Sequence, residues 1–212
     1  FRKREHMYCI LVAGMPASGK STFAAWLSRE KHLPCMSKDQ IKELLFDTVG
    51  FRSRQEKVAL GTAAEKILYA FAQTHLAAGL PFILENNFED SSREGLVSLL
   101  EKYGCFPITV LFDGDIEVLY QRFILRDQSP ARHRGHVVNT QYPEASEPAP
   151  YCPMSLEDFR WGMEARGFAR FHPGGAVLRV DCTDFARVEY SAIVQQIEEI
   201  LRKDTLRKDE KF

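Results

Sequence analysis

One eight-residue segment has the residue types and spacing of a phosphate-binding loop. Residues 14–21 read GMPASGKS and fit G-x-x-x-x-G-K-[ST] in full. Such a loop turns successive backbone N–H groups towards an anionic oxygen, and the helix after it adds its positive N-terminal end. A glycine-rich turn without a ligand is the alternative, but the segment predicts a site for ATP. The residues expected to contact the nucleotide are Gly14, Pro16, Ala17, Ser18, Gly19, Lys20, Ser21 and Thr22.

Acidic and amide side chains follow two further predicted strands. Asp39 begins the helix after the second strand, and Glu85 and Asn87 follow the third. The carboxyl ends of parallel strands gather at one edge of a sheet, beside the phosphate-binding loop. We therefore expect Lys20 to act in catalysis, Asp39 to accept a proton from a hydroxyl, and Glu85 to hold Mg²⁺ together with Ser21. The alternatives are an N-cap or first-turn acid of a helix for Asp39 and an exposed loop acid for Glu85.

Arginine residues are concentrated near one end of a later helix. Arg122 and Arg126 are four residues apart and share a helix face, and Arg132 and Arg134 follow shortly afterwards. Guanidinium groups neutralise the charge that spreads over a transferred phosphoryl group. We expect Arg122 and Arg126 to act in catalysis, and Arg126, Arg132 and Arg134 to bind the nucleotide. A solvated basic helix end is the alternative.

Strand and helix signals alternate along the chain, which favours a parallel sheet with crossover helices. Residues 128–153 interrupt the alternation, because their prolines exclude a long helix; we interpret this segment as a lid. The predicted fold is the α/β P-loop NTPase fold, with a five-stranded parallel sheet, helices on both faces and an irregular lid insertion. The predicted strands are 8–13, 33–37, 81–84, 106–112 and 176–180. The main predicted helices are 55–78 and 91–103 before the lid and 188–202 after it.

The length of 212 residues accommodates one domain, predicted over 7–203, with 204–212 as a flexible tail. Residues 1–6 are expected to be a flexible N-terminus or to be foreign to a native chain that starts at Met7. The net charge of −1 provides no general basic field, which disfavours binding to long nucleic acids. Without an apolar run of membrane-spanning length or a secretory signal, the chain is expected to be cytoplasmic.

Taken together, these motifs resemble those of the P-loop kinases that include the polynucleotide 5′-hydroxyl kinase domain, zeta toxins and chloramphenicol phosphotransferase. The resemblance rests on GMPASGKST at 14–22, SKDQI at 37–41, ILENN at 83–87, RFILR at 122–126 and RHRGH at 132–136. It implies transfer of phosphate from ATP·Mg²⁺ to a hydroxyl, with Asp39 as the base. The polynucleotide enzymes typically carry arginine three residues after the base, whereas this chain has Lys42.

The sequence therefore predicts an ATP-dependent kinase whose acceptor is a hydroxyl of a small molecule. The nearest alternative is a 5′-hydroxyl kinase that acts on polynucleotides or nucleosides. A second alternative is a nucleotide-dependent switch ATPase, which would need no base for an acceptor. The residues expected to bind the acceptor are Asp39, Lys42, Arg52 and Asn87.

Overall fold

The computed structural model describes residues 7–144 and 151–209, and five parallel strands form one sheet in it. The strands are β1 (Tyr8–Gly14), β2 (Cys35–Ser37), β3 (Phe82–Glu85), β4 (Phe106–Asp113) and β5 (Ala176–Asp181). Their order across the sheet is β2-β3-β1-β4-β5. Residues 1–6, the lid segment 145–150 and residues 210–212 lie outside the described residues.

Helices connect the strands, and several begin or end at residues whose chemistry explains the boundary. Ser53, Asp115 and Ser155 each accept a backbone N–H at a helix N-terminus. Gly79 ends the longest helix with a φ of 71°. The helices are α1 (Lys20–Lys31), α2 (Lys38–Thr48), α3 (Arg54–Ala78), α4 (Asp90–Lys102), α5 (Ile116–Gln128), α6 (Arg134–Val137), α7 (Leu156–Arg166) and α8 (Tyr190–Asp209).

The sheet is buried between two apolar layers. Helices α1, α5, α7 and α8 pack on one face, where Phe23 and Leu119 are fully buried. Helices α2, α3 and α4 pack on the other face, where Leu68 and Leu96 are fully buried. The strands are apolar on both sides because both faces are covered. The predicted five-stranded parallel sheet with helices on both faces is confirmed.

Three features differ from the sequence prediction. The predicted lid, residues 128–153, contains the short helix α6. Helix α7 follows the lid and was not predicted, although Ser155 and Asp158 have the spacing of a helix N-terminus and bond to each other. Helix α8 continues to Asp209 instead of ending near residue 202, because no glycine or proline interrupts it. No helix in the described part of the chain has the length and apolar character that crossing a bilayer requires.

Candidate active site

The segment between β1 and α1 forms a tight loop whose shape depends on its glycines. Gly14 has a φ of 115°, and a Cβ atom there would lie 2.0 Å from the carbonyl oxygen of Phe112. Gly19 has a φ of 86° immediately before α1. Side chains would strain the backbone at both positions. Gly14 therefore shapes the loop from the β1 end. Residues 16–22 border an open cavity of about 560 Å³, which we call the main cavity.

Elements from both halves of the chain border the main cavity, which lies at the carboxyl edge of the sheet. Strand β3 contributes its last residue, and helices α1, α2 and α5 contribute one end each. The predicted site residues that line it are Pro16, Ala17, Ser18, Gly19, Lys20, Ser21, Thr22, Asp39, Lys42, Glu85, Asn87, Arg122, Arg126 and Arg132.

Lys20 is the first residue of α1 and is almost completely buried, with 5% of its surface exposed. Its ammonium donates to the carbonyl oxygen of Met15 and lies 3.4 Å from the hydroxyl of Ser18. Burial lowers the pKa of Lys20 to about 8, although the carboxylates of Glu85 and Asp39 oppose this change. The lysine is thus held inside the loop, where a bound phosphate would restore its ordinary basicity.

Glu85 ends β3 and is buried at the base of the main cavity. Its Oε2 accepts a hydrogen bond of 2.5 Å from the hydroxyl of Ser37, at the end of the neighbouring strand β2. Burial raises the pKa of Glu85, while Lys20 and the hydrogen bond from Ser37 partly offset this effect. A hydrogen bond from Ser21 also favours the carboxylate. Glu85 and Ser21 therefore offer oxygen ligands side by side, as Mg²⁺ prefers.

Asp39 is the second residue of α2, and its side chain is 50% exposed. Ser37, not Asp39, occupies the N-cap position of the helix. The Nζ atom of Lys42 lies 3.6 Å from Oδ1 of Asp39. Burial opposes ionisation of Asp39, but Lys42, His136 and Arg132 together hold its pKa below the usual value. Asp39 is therefore a carboxylate open to the cavity, and it is an acid of the first turn of α2 but not its N-cap.

Arg126 and Arg132 line the main cavity on either side of one acid, Asp127. Nη2 of Arg126 and Nε of Arg132 lie 2.9 Å and 3.4 Å from Oδ1 of Asp127. Only 16% of the Arg132 side chain is exposed. Asp127 thus pairs with two guanidinium groups that border the same cavity as the phosphate-binding loop.

Arg122 also borders the cavity, but its contacts differ from those of Arg126. Its terminal nitrogens donate to the carbonyl oxygens of Cys182 and Thr183 at 2.6 Å and 2.7 Å. Its guanidinium carbon lies 3.8 Å from the ring centroid of Phe185, and that ring packs against Gly19. Arg122 is therefore anchored to the segment after β5, at the far end of the loop.

Besides Gly14, which shapes the loop from behind, two predicted site residues do not line the main cavity. Arg134 donates two hydrogen bonds to Glu144, at 2.9 Å and 2.7 Å. Arg52 is exposed and borders a separate cavity, where its backbone N–H donates to Glu56. Arg134 and Arg52 therefore lie outside the cavity where the nucleotide and the acceptor are expected, and their predicted contacts stay predictions.

Several residues of the cavity wall escaped sequence reasoning. They come from α5, from the lid, from the segment after the lid and from the loop after β5. The Ser155 cap could have revealed α7, which supplies two of them. His136 belongs to the segment 132–136, which the sequence analysis did identify. Burial together with the charges of Arg132 and Lys42 lowers the pKa of His136 to about 3, despite the opposing effect of Asp39. The unpredicted wall residues are Phe123, Asp127, His136, Met154, Met163, Arg166, Phe168 and Phe185.

Comparison with known proteins agrees with the fold and the loop. The structure superposes on a protein of Chloroflexus aurantiacus j-10-fl, provisionally described as a kinase, with 30% identity, a TM-score of 0.74, and coverage of 91% of this chain and 97% of that one. A sugar kinase of Janibacter sp. HTCC2649 (15% identity, TM-score 0.53, coverage 92% and 95%) shares the fold. A gluconokinase of Sinorhizobium meliloti 1021 also shares the fold (15% identity, TM-score 0.52, coverage of 98% of this chain and 99% of that one).

None of the curated proteins matches this chain at a significant level. The model of a family described as "AAA domain" matches residues 9–147, which is more than half of the chain. The matched range contains the phosphate-binding loop, Asp39, Glu85 and the arginines of α5. The chain therefore belongs to this AAA domain family and has a P-loop kinase-like fold.

Proposed function

We propose that the protein transfers the γ-phosphoryl group of ATP to a hydroxyl group of a small molecule. One observation carries the proposal: the carboxylate of Asp39 and the ammonium of Lys20 border the same cavity, at the carboxyl edge of the sheet. A nucleotide switch requires the lysine but has no need of the acid. An acid beside the phosphate-binding loop supports a reaction in which a hydroxyl must lose its proton.

The loop would bind the triphosphate through its backbone N–H groups and through Lys20. Ser21 and Glu85 supply only oxygen ligands, which fit Mg²⁺. In the described residues no cluster of three or more His, Cys, Asp or Glu could hold a metal ion by itself, so phosphate and water oxygens would complete its shell. When bound, the ion would neutralise charge on the phosphates.

In the transfer step, the acceptor oxygen attacks the γ-phosphorus as the bond from phosphorus to the bridging oxygen of ADP breaks. Asp39 takes the proton of the attacking hydroxyl. The lowered pKa of Asp39 keeps it ionised at neutral pH, so it is ready to accept that proton. Arg126 and Arg132, both fixed by Asp127, would neutralise charge on the transferred group.

We assign the nucleotide base to the end of the loop where Phe185 lies. Its ring is 48% exposed, packs against Gly19, and stacks on the guanidinium of Arg122. A flat aromatic surface beside a phosphate-binding loop suits a purine ring, which stacks on aromatic and guanidinium planes. Arg122 would then position the base and would not contact the γ-phosphate.

Replacement of Asp39 by asparagine tests the proposal. Transfer of label from γ-labelled ATP into a pool of small hydroxyl compounds should fall by about 10²-fold or more, because the base is lost. Binding of ATP should change little, since asparagine keeps the shape of the side chain. Asp47→Asn is the matched control, because Asp47 lies on the same helix but outside the main cavity.

Other outcomes would contradict the proposal. If both proteins released only free phosphate at equal rates, the switch ATPase would be the correct interpretation. If label appeared on a 5′-hydroxyl oligonucleotide and on no small compound, the acceptor would be a nucleic-acid end. Each result identifies a different class of protein.

A further inference from the structure

A second cavity adjoins the main cavity on the side of α2 and α3. It has a volume of about 380 Å³ and is bordered by four cationic side chains, those of Lys38, Lys42, Arg54 and Lys57. Lys42 borders both cavities and lies 3.6 Å from Asp39. The side cavity, as we call it, is therefore one side chain away from the proposed base.

Each acid of the side cavity lies beside a cation other than Lys42, Arg54 and Lys57. Glu65 accepts hydrogen bonds from Lys38 at 2.7 Å and from the hydroxyl of Ser92 at 2.8 Å. Glu89 lies 3.9 Å from Arg166, which approaches from the main cavity. These acids therefore do not compensate the remaining cations, Lys42, Arg54 and Lys57.

Arg54 and Lys57 are paired with neutral oxygens, whereas Lys42 lies beside Asp39 of the main cavity. Arg54 donates to the side-chain oxygen of Asn139 at 3.0 Å. The ammonium of Lys57 donates to the carbonyl oxygens of His136 and Val138 and to Asn139. Burial, reinforced by Arg54 and Lys42, lowers the pKa of Lys57 to about 7. The cationic side chains of the side cavity therefore carry more positive charge than its two acids, Glu65 and Glu89, can balance.

We infer that the side cavity binds an anionic group of the acceptor, a carboxylate or a phosphate, while the acceptor hydroxyl faces Asp39. This inference rests on the proposed function, because it assigns the acceptor of the same reaction to a chemical class. Lys42 and Arg54 would donate hydrogen bonds to the anion, and Lys57, whose three hydrogen bonds are already made, would contribute charge. Gly61 borders the same cavity and leaves room for the group.

Sulfate is the first probe, used with the protein saturated by Mg²⁺ and a non-hydrolysable ATP analogue so that the phosphate-binding loop is filled. We expect sulfate to bind, and Arg54→Gln to weaken its binding about tenfold, as the loss of a charged hydrogen bond does. Arg52→Gln is the matched control, because Arg52 is exposed two residues away and borders a different cavity. No sulfate binding, or equal binding in both variants, would overturn the inference.

Transfer of label to matched acceptors is the second probe. Sugar acids are compared with the corresponding alditols, and sugar phosphates with their parent sugars, so that the two sources of an anion are separated. We expect label only on members that carry an anion, with a KM raised by Arg54→Gln. Transfer to neutral members alone would overturn the inference and leave the kinase proposal intact. Sulfate binding without transfer to any acceptor would instead refute the kinase proposal, and with it the assignment of the anion to an acceptor.

Discussion

The affinity for ATP should depend on pH through Lys20. Burial holds the pKa of this lysine at about 8 in the free protein. A bound triphosphate would raise that pKa, because it places negative charge beside the ammonium. Affinity is therefore fully developed below pH 8 and is lost as the pH rises through 8, where the free protein must take up a proton to bind.

The size of the effect follows from the protonated fraction. With a pKa of about 8, Lys20 is about 90% protonated at pH 7 and about 10% protonated at pH 9. Binding should therefore weaken about tenfold between these values, or about 1.4 kcal/mol. Calorimetric titration with Mg²⁺ and a non-hydrolysable ATP analogue measures this, and the heats in buffers of different ionisation enthalpy report the proton uptake.

Lys20→Met provides the control, because other groups also titrate between pH 7 and pH 9. The variant should bind more weakly at both values, and the difference between them should disappear. Equal affinity of the original protein at pH 7 and pH 9 would refute the reasoning. A pH dependence that survives in Lys20→Met would assign it to another group, and Lys57 would be the first to examine.

Two further substitutions, Gly135→Ala and Phe185→Ala, test the packing of the lid and the proposed position of the nucleotide base. Gly135→Ala would place a Cβ atom 2.4 Å from the ring of Phe46, which is fully buried. We therefore expect urea denaturation to show that the free energy of unfolding falls by about 1–3 kcal/mol. Gly162→Ala is the control: its Cβ atom would have nothing within 4 Å, so stability should stay equal or rise slightly. Equal losses in both variants would contradict the packing argument. Phe185→Ala should raise the KM for ATP with little change in kcat, and a fall in kcat alone would refute the assignment of its ring to the nucleotide base.

The sequence allowed the main parts of the site to be predicted because they depend on short-range patterns. Gly14 and Lys20 belong to one motif, and Asp39 and Glu85 follow apolar strands directly. In a parallel sheet such strand ends meet at one edge, so the residues converge without any further information. The structure brings Lys20, Asp39 and Glu85 to one cavity, as that argument predicts.

The remaining parts depend on contacts between distant segments, which no local pattern records. Arg122 was expected to act in catalysis, but its hydrogen bonds to the carbonyl oxygens of Cys182 and Thr183, about sixty residues later, could not be predicted. Arg134 appeared equivalent to Arg132, but Arg134 pairs with Glu144 and Arg132 with Asp127. The basic side cavity forms where α2 and α3 diverge, and helical periodicity does not show which surface charges face each other there.

The hydrogen bonds of Lys57 determine which parts of the protein move together. This lysine lies in the first turn of α3 and holds the backbone at His136 and Val138. The segment that carries Arg132 and His136 can move away from the nucleotide only by breaking these bonds or by taking the start of α3 with it. If the predicted lid opens, the side cavity would therefore change shape with it, and we expect an acceptor bound at α3 to influence how long the nucleotide stays enclosed.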